Sequence, residues 1–302
     1  MEKNFDHVLP FQLEESAIRG RLVRLDQEMW KIIEQHNYPT VVNNYLAQAA
    51  ALSIALVNCF KFDGLFTLQI SGSGPLRLLV IDIHNQHEIR ACARFDEEQI
   101  KELTPEAAKN IQQVFGQGTI VFTIDPAAGE DRYQGVVELI GTTLSESTHH
   151  FFRQSEQLET GVVLANGTSA ETLAGAALMI QRLPVPQNLN PEDKETLDDQ
   201  WIHALSITGS VTRQELLDRN LSNEELLYRL FWEGGIRVYE PKSIIAQCRC
   251  SSEKIKNLLT SFSSQDRHEM VFEDKITVTC EFCGVGYKFS EDEFEGESSL
   301  VK

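Results

Sequence analysis

The spacing of apolar and polar positions in the first part of the chain predicts both helices and strands. Helical patterns cover residues 26–36, 40–60, 104–115 and 142–158, and a turn follows the second of them at Lys61-Phe-Asp-Gly64. Strand-like runs with turn residues between several of them lie at 65–71, 76–83, 88–95, 119–123, 135–141 and 173–183. This order of strands with helices placed between them predicts an α+β domain.

The pattern changes after residue 183. Residues 184–200 hold three prolines and six charged side chains without apolar periodicity, which is typical of a linker. Capping boxes, Thr212 with Glu215 and Ser222 with Glu225, then introduce two amphipathic helices. We therefore predict three regions: an α+β core domain at 1–187, a linker region with amphipathic helices at 188–243, and a small C-terminal domain at 244–302.

The apolar stripe of the two amphipathic helices requires a partner. It comprises Leu216, Leu217, Leu226, Leu227, Leu230 and Phe231. The sequence leaves two partners possible. The stripe packs on the C-terminal domain, whose loss would then expose an apolar patch, or it packs on the N-terminal domain in the ordinary way.

Composition and charge narrow the class of protein. Hydrophobic residues make up 42% of the 302 residues, enough for a sizeable core. The formal charge is −18, and residues 1–187 and 188–302 each carry −9, which argues against nucleic-acid or anionic-membrane partners. The first twenty residues lack a signal-peptide pattern, and the longest apolar run, 45–60, is too short to cross a bilayer. We expect that run to be a buried helix and the protein to be cytosolic.

Four of the six cysteines form two close pairs, Cys248-x-Cys250 and Cys280-x-x-Cys283-Gly284. Residues i and i+2 of an extended segment face the same side, and a CxxCG turn is typical of a zinc knuckle. Four thiolates on two such corners make a closed tetrahedral Zn²⁺ site. The pattern predicts one zinc ion per chain held by all four cysteines.

The remaining candidates for metal chemistry are weaker. Cys59 and Cys92 stand alone and are predicted to pack as small apolar residues. His268, between the two cysteine pairs, is predicted to be a surface residue and not a ligand.

The predicted C-terminal domain is too small to be stable on its core alone. Structural zinc contributes on the order of 10–16 kcal/mol in zinc-finger peptides, so we expect the fold here to depend on its metal. Thiolates are also the form that oxidants attack, and two local disulfides would consume every ligand. The sequence therefore allows a redox switch, although most Cys₄ zinc sites are inert structural elements.

The cysteine pattern and several other segments resemble the 33 kDa chaperonin family, the redox-regulated heat-shock holdases of bacteria. Similar segments occur in the family's order: Arg19-Gly-Arg-Leu-Val23, Lys61-Phe-Asp-Gly64, Gly72-Ser-Gly-Pro-Leu76, Arg90-Ala-Cys-Ala-Arg94, Tyr133-Gln-Gly-Val-Val137, Phe152-Arg-Gln-Ser-Glu-Gln157, Leu227-Tyr-Arg-Leu-Phe231 and Cys248-Arg-Cys-Ser251. The resemblance covers nearly the whole chain, except that residues 184–200 share little beyond composition.

The resemblance implies that the reduced protein binds one Zn²⁺ through Cys248, Cys250, Cys280 and Cys283 and is inactive as a chaperone. Oxidants, helped by heat, join Cys248 to Cys250 and Cys280 to Cys283, and zinc leaves. The C-terminal region and the linker become disordered, dimers form, and unfolding client proteins are held without ATP. Reduction returns the clients to ATP-dependent foldases.

Two other functions fit parts of the sequence. A zinc-ribbon interaction module would use the same four cysteines, although the acidic charge does not favour nucleic acid. A thiol–disulfide oxidoreductase would use Cys280 and Cys283, but such enzymes place CxxC at the start of a helix, whereas residues 284–289 resemble a turn and a strand. We do not expect an enzyme.

Overall fold

The computed structural model describes residues 5–14, 16–59, 62–127, 131–153, 159–169, 172–185 and 190–294. The chain divides into two compact units, Met1–Ala246 and Gln247–Lys302. The helices of residues 188–243 belong to the first unit.

The first unit contains two sheets whose strands run antiparallel except at one edge. Its strands are β1 His7–Leu13, β2 Ile18–Leu25, β3 Gly64–Gly72, β4 Leu76–His84, β5 Glu88–Phe95, β6 Gly118–Pro126, β7 Tyr133–Glu138, β8 Thr160–Ser169, β9 Thr172–Arg182, β10 Ile236–Val238, β11 Lys242–Ser243 and β12 Ile245–Ala246. One sheet has the order β10-β1-β2-β9-β8, with β11 also paired to β1. The other has the order β12-β5-β4-β3-β6-β7, in which β12 runs parallel to β5.

Eight helices accompany these sheets in the described part of the first unit. They are α1 Gln27–Ile33, α2 Thr40–Val57, α3 Glu97–Glu102, α4 Ile111–Phe115, α5 Leu144–Phe151, α6 Pro191–Ser210, α7 Arg213–Leu217 and α8 Asn223–Phe231. Helix α2 packs against strands of both sheets and is apolar on nearly all sides. By length and composition it is the one described helix that could cross a bilayer, but 72% of its residues are buried inside the fold. The predicted buried helix is therefore the core helix of this unit.

Helices α6, α7 and α8 cover the other face of the first sheet. Leu216, Leu226, Leu227 and Phe231 are buried there beside residues of β1, β2 and β9, and the rings of Phe11 and Phe231 stack with centroids 5.5 Å apart. The apolar stripe of the amphipathic helices thus packs on the first sheet, within the first unit. Of the two partners that the sequence left possible, this is the N-terminal domain.

The structure differs from the sequence prediction at residues 190–200. Helix α6 begins at Pro191, where the predicted linker shows no apolar periodicity; residues 186–189 lie outside the described part. The Asn190 side chain caps it by accepting from the Asp193 N–H at 2.7 Å. Its buried face is narrow, with Trp201, Ala204 and Thr208. Such a stripe is too sparse to stand out from composition alone.

Other elements follow the prediction with changed ends. The helix predicted at 104–115 is a short 3₁₀ turn followed by α4, and the one predicted at 142–158 is α5, with 154–158 outside the described residues. The sequence interpretation missed β8 and β1.

The two isolated cysteines fit the predicted packing role. Cys92 is buried on β5, and burial raises the pKa of the Cys59 thiol.

The second unit is small. It contains α9 Ser252–Thr260, α10 Ser264–Glu269, and a sheet of β13 Val271–Phe272, β14 Lys275–Thr279 and β15 Gly286–Phe289. Side-chain oxygens of Ser251 and Ser263 cap the two helices. Among the described residues of this unit, the buried apolar core consists of five side chains, Ile255, Leu259, Ile276, Phe289 and Phe294. A 3₁₀ helix, Glu291–Phe294, ends the described part of the unit, and residues 295–302 lie outside it.

Candidate metal centre

The first cysteine pair lies between β12 and α9. Cys248 and Cys250 precede Ser251, whose extended backbone leads into α9 and whose hydroxyl accepts from the Lys254 N–H at 3.2 Å. The position of the pair is therefore determined by the start of a capped helix.

The second pair forms a turn between β14 and β15. The Gly284 N–H donates to the Cys280 carbonyl at 2.8 Å, and the Cys280 N–H donates to the Val285 carbonyl at 3.0 Å. Gly284 has a φ of +67°, a left-handed conformation that glycine adopts without a steric penalty. The turn brings the thiols of Cys280 and Cys283 to the same side, as the CxxCG sequence predicts.

The two pairs meet. The four Sγ atoms lie within 4.8 Å of one another. The distances are 3.7 Å from Cys248 to Cys280 and 3.4 Å from Cys250 to Cys283. A tetrahedron of Zn–S bonds of about 2.3 Å has edges of about 3.8 Å, so the cluster has the dimensions of a four-thiolate metal site.

Backbone hydrogen bonds to the sulfur atoms favour ionisation of the thiols, whereas burial opposes it. Burial opposes ionisation of Cys248, but the Cys250 backbone N–H and the neighbouring thiols outweigh it and lower the pKa of Cys248 to about 7. Burial raises the pKa of Cys280 despite hydrogen bonds from the backbone at Phe282 and Cys283. Burial and the adjacent thiols also raise the pKa of Cys283.

Burial is the largest effect that opposes ionisation in this cluster, and mutual repulsion adds to it. Four thiolates so close together repel one another, and without a cation they do not all ionise readily. A bound divalent cation would offset that repulsion. The donor set and its backbone hydrogen bonds therefore suit a thiophilic metal ion.

Tyr287 is the residue near the cluster that the sequence interpretation missed. It lies on β15 opposite Val278, and its hydroxyl donates to Cys250 Sγ at 3.1 Å. That hydrogen bond raises the pKa of Tyr287 to about 12. The available sequence signal was an aromatic hydroxyl on the strand that follows the CxxCG turn.

The structure separates the other sequence candidates from this cluster. His268 is exposed, with Nδ1 3.2 Å from the Glu291 carboxylate, and does not belong to the group of possible ligands. Cys59 and Cys92 both lie in the first unit. Within the described residues, the four clustered cysteines are the one group of three or more His, Cys, Asp or Glu side chains placed to hold a metal ion.

Comparison with known proteins identifies the chain's relatives. A family model described as Hsp33 protein matches residues 6–290. A 33 kDa chaperonin of Proteus mirabilis is 33% identical over 296 residues, covering 98% of this chain and 97% of the relative. A 33 kDa chaperonin of Caulobacter vibrioides is 35% identical over 285 residues, covering 94% of each chain.

A solved structure shows the same fold. The crystal structure of the 33 kDa chaperonin from Thermotoga maritima matches with a TM-score of 0.76 at 20% identity, covering 96% of this chain and 97% of that one. The match supports the mixed α and β architecture, and the cysteine cluster supports the small C-terminal metal-site domain, so the predicted fold class is confirmed. Because the family model spans almost the entire sequence and the relatives align from end to end, the chain belongs to the Hsp33 family.

Proposed function

We propose that this protein is a redox-regulated chaperone that holds unfolding client proteins without ATP. In the reduced form Cys248, Cys250, Cys280 and Cys283 bind one Zn²⁺ and the protein is inactive. In the oxidised form the four sulfurs form two disulfides, zinc is released, and clients are bound. The observation that carries the proposal is the cluster of four thiols within 4.8 Å, in a unit with a five-residue core.

The balance of oxidation is simple. With peroxide as the oxidant, two thiolates lose two electrons, one S–S bond forms, and peroxide takes up two protons and leaves as two water molecules. Two such reactions consume the entire donor set. A closed four-cysteine site has no spare ligand, so the metal has no remaining protein donor.

We propose that the disulfides form within each pair, Cys248 with Cys250 and Cys280 with Cys283. Sulfur contacts at 3.7 Å and 3.4 Å run across the pairs, between residues 32 and 33 positions apart, although all four sulfurs lie within 4.8 Å of one another. Cross-pair disulfides would close long loops and keep the unit compact by restricting its unfolded state. Local disulfides leave the chain free to unfold, which agrees with a switch.

We expect unfolding of the second unit to spread along the backbone into the end of the first unit. Strand β12 ends at Ala246, immediately before the second unit, and the Ala246 N–H donates to the Glu28 carboxylate at 2.7 Å. Strands β11 and β12 are two residues long. Such short strands are weakly held, so disorder that begins after Ala246 can pass into the segment that follows α8.

The apolar face beneath α6, α7 and α8 is our candidate for a client-binding surface. Leu9, Phe11, Leu22, Leu178 and Ile180 are buried under these helices and would become a contiguous apolar patch if the helices detached. The net charge of −18 would keep such a form in solution.

Further parts of the proposal follow from family membership. We propose that the oxidised protein forms homodimers, that ATP-dependent foldases receive its clients, and that it acts in the cytoplasm. The relatives are named chaperonins, which supports a chaperone and not an enzyme. The oxidoreductase alternative is further disfavoured because the CxxC turn leads into β15 and not into a helix.

An aggregation assay tests the function. A heat-unfolded client enzyme should aggregate in the presence of the reduced protein and stay in solution in the presence of protein pretreated with peroxide at mild heat. A fixed zinc-ribbon module would leave aggregation unchanged in both states. A disulfide-reductase assay would be positive only for the oxidoreductase alternative.

Replacing Tyr287 with Phe should weaken metal binding without changing the fold. The variant loses the hydroxyl that donates to Cys250 Sγ at 3.1 Å. Removing one such outer hydrogen bond typically lowers metal affinity by about 10–100-fold. We expect faster zinc transfer to a chromogenic chelator from the reduced variant.

Tyr239→Phe is the matched control. Its hydroxyl donates to the Gln12 side chain at 3.0 Å, in the first unit. Equal zinc-transfer rates for Tyr287→Phe and the unmodified protein would show that the hydroxyl does not support the site.

A further inference from the structure

A polar cleft in the first unit is lined by positive charge, whereas the chain as a whole is acidic. It has a volume of about 330 Å³ and lies between α2, the start of α5, β8 and α7. Its polar lining includes Tyr45, Gln48, Lys109, Thr143, Asn166 and Arg213. Two cations line it and no carboxylate does, although the chain as a whole carries a charge of −18.

The two cations have no carboxylate partner among the described residues. Lys101, by contrast, pairs with Glu97, and Arg182 pairs with two carboxylates. The Arg213 guanidinium is held in place by its Nε, which donates to the Asn166 carbonyl at 2.6 Å. A Cβ at Gly167 would lie 2.3 Å from Arg213 Nη2, so the glycine permits this close position. The remaining guanidinium N–H groups are available to a ligand.

A buried tyrosine adds a neutral donor to the cleft. Tyr45 is only 5% exposed, and its ring packs edge-on against Phe115 with centroids 5.4 Å apart. Its hydroxyl has no hydrogen-bond partner among the described side chains and backbone. Burial raises the pKa of Tyr45, so the hydroxyl remains protonated and can donate. Because Tyr45 lines the cleft, its hydroxyl can donate to a ligand or to water there.

The start of helix α5 completes the lining. Thr143 caps this helix, and the positive end of the helix dipole therefore faces the cleft wall. Glu146, in the first turn, does not line the cleft; its carboxylate accepts from the Thr142 N–H at 2.6 Å and from the Thr142 hydroxyl at 3.1 Å.

We propose that this cleft binds a small phosphate-bearing anion. Lys109 and Arg213 lie on different elements, and Tyr45 contributes a third, neutral donor. A phosphoryl group offers at least three acceptor oxygens to donors from several directions, whereas a carboxylate offers two. The volume falls in the range of small-ligand pockets, about 300–1,000 Å³. A bound phosphate would link Arg213 of α7 to Lys109 and so stabilise the position of α7.

Calorimetric titration of the reduced full-length protein with pyrophosphate at low ionic strength tests this site, with citrate as a carboxylate comparator. We expect one pyrophosphate per chain, and citrate at least tenfold weaker. Lys109→Gln should weaken pyrophosphate binding at least tenfold, which corresponds to about 1.4 kcal/mol, because a hydrogen bond between charged groups is lost. Tyr45→Phe should weaken it severalfold.

Lys101→Gln is the matched control, since it removes a lysine charge that is paired with Glu97 and lies outside the cleft. Its affinity should equal that of the unmodified protein. Lys109 is exposed, and a thermal melt without ligand checks that its replacement leaves the fold intact. Absence of pyrophosphate binding, equal affinities for all variants, or citrate binding as tight as pyrophosphate would each overturn the proposal.

Discussion

Removing the metal from the reduced protein should unfold residues 247–294 and leave strands β1 to β9 of the first unit folded. The five buried side chains described in the second unit form a small core, and a bound metal would supply the folding free energy that such a core lacks. Structural zinc contributes about 10–16 kcal/mol, comparable with the entire stability of a typical domain, about 5–15 kcal/mol. A strong chelator under reducing conditions should therefore abolish hydrogen-exchange protection in α9, β14 and β15.

Two cysteine variants make this prediction independent of the chelator. Cys283→Ser removes one of the four clustered sulfurs and should give the same loss of protection in the second unit. Cys59→Ser lies in the first unit and should bind as much zinc as the unmodified protein. Retained protection of β14 and β15 in metal-free protein would mean that the small core is sufficient.

Replacing Arg24 with Met should activate the reduced protein by loosening α7 and α8. Arg24 lies on β2 and is 1% exposed. Its guanidinium donates to backbone carbonyls of Leu221 at 2.5 Å and Glu215 at 2.7 Å, which lie in and after α7. Although burial lowers the pKa of Arg24 to about 10, the side chain is charged at neutral pH.

Methionine keeps most of the volume but leaves those carbonyls without their donor. The loss of buried charged hydrogen bonds should destabilise this contact by about 2–5 kcal/mol. The ion pair between Arg219 and Asp26 would remain as a second attachment of the same segment. We expect faster hydrogen exchange in α7 and α8 and measurable suppression of client aggregation by the reduced variant.

Arg77→Met is the control for the loss of an arginine. Arg77 is exposed, with a long 3.8 Å approach to Asp96, and its replacement should leave the reduced protein inactive. If Arg24→Met accelerates exchange in α7 and α8 without any gain of chaperone activity, the surface beneath these helices is not where clients bind.

Local sequence signals predicted the parts of the fold that local interactions determine. Helix α2 follows from its long apolar run, and both capping boxes are present, with Thr212 and Ser222 each bonded reciprocally to the glutamate three residues later. The metal-site cluster was also predictable, because each pair is preorganised by its own short segment and only the meeting of the two pairs requires the fold.

Long-range interactions explain what the sequence did not reveal. Strand β1 contains Pro10 and is stabilised by pairing with β2, β10 and β11, the last two more than 220 residues away. Strand β8 contains glycine and asparagine and depends on its pairing with β9. The role of Arg24 was equally hidden, since its acceptor carbonyls lie 191 and 197 positions along the chain.

A single peroxide titration at mild heat tests the redox switch most directly. In one sample series, released zinc, remaining thiols and suppression of client aggregation are measured together, and disulfides are located by peptide mass spectrometry. We expect loss of one zinc and four thiols per chain in proportion to the gain of activity, with disulfides Cys248–Cys250 and Cys280–Cys283. Full activity in the reduced, zinc-loaded protein, or activity that rises before zinc leaves, would contradict the proposed switch.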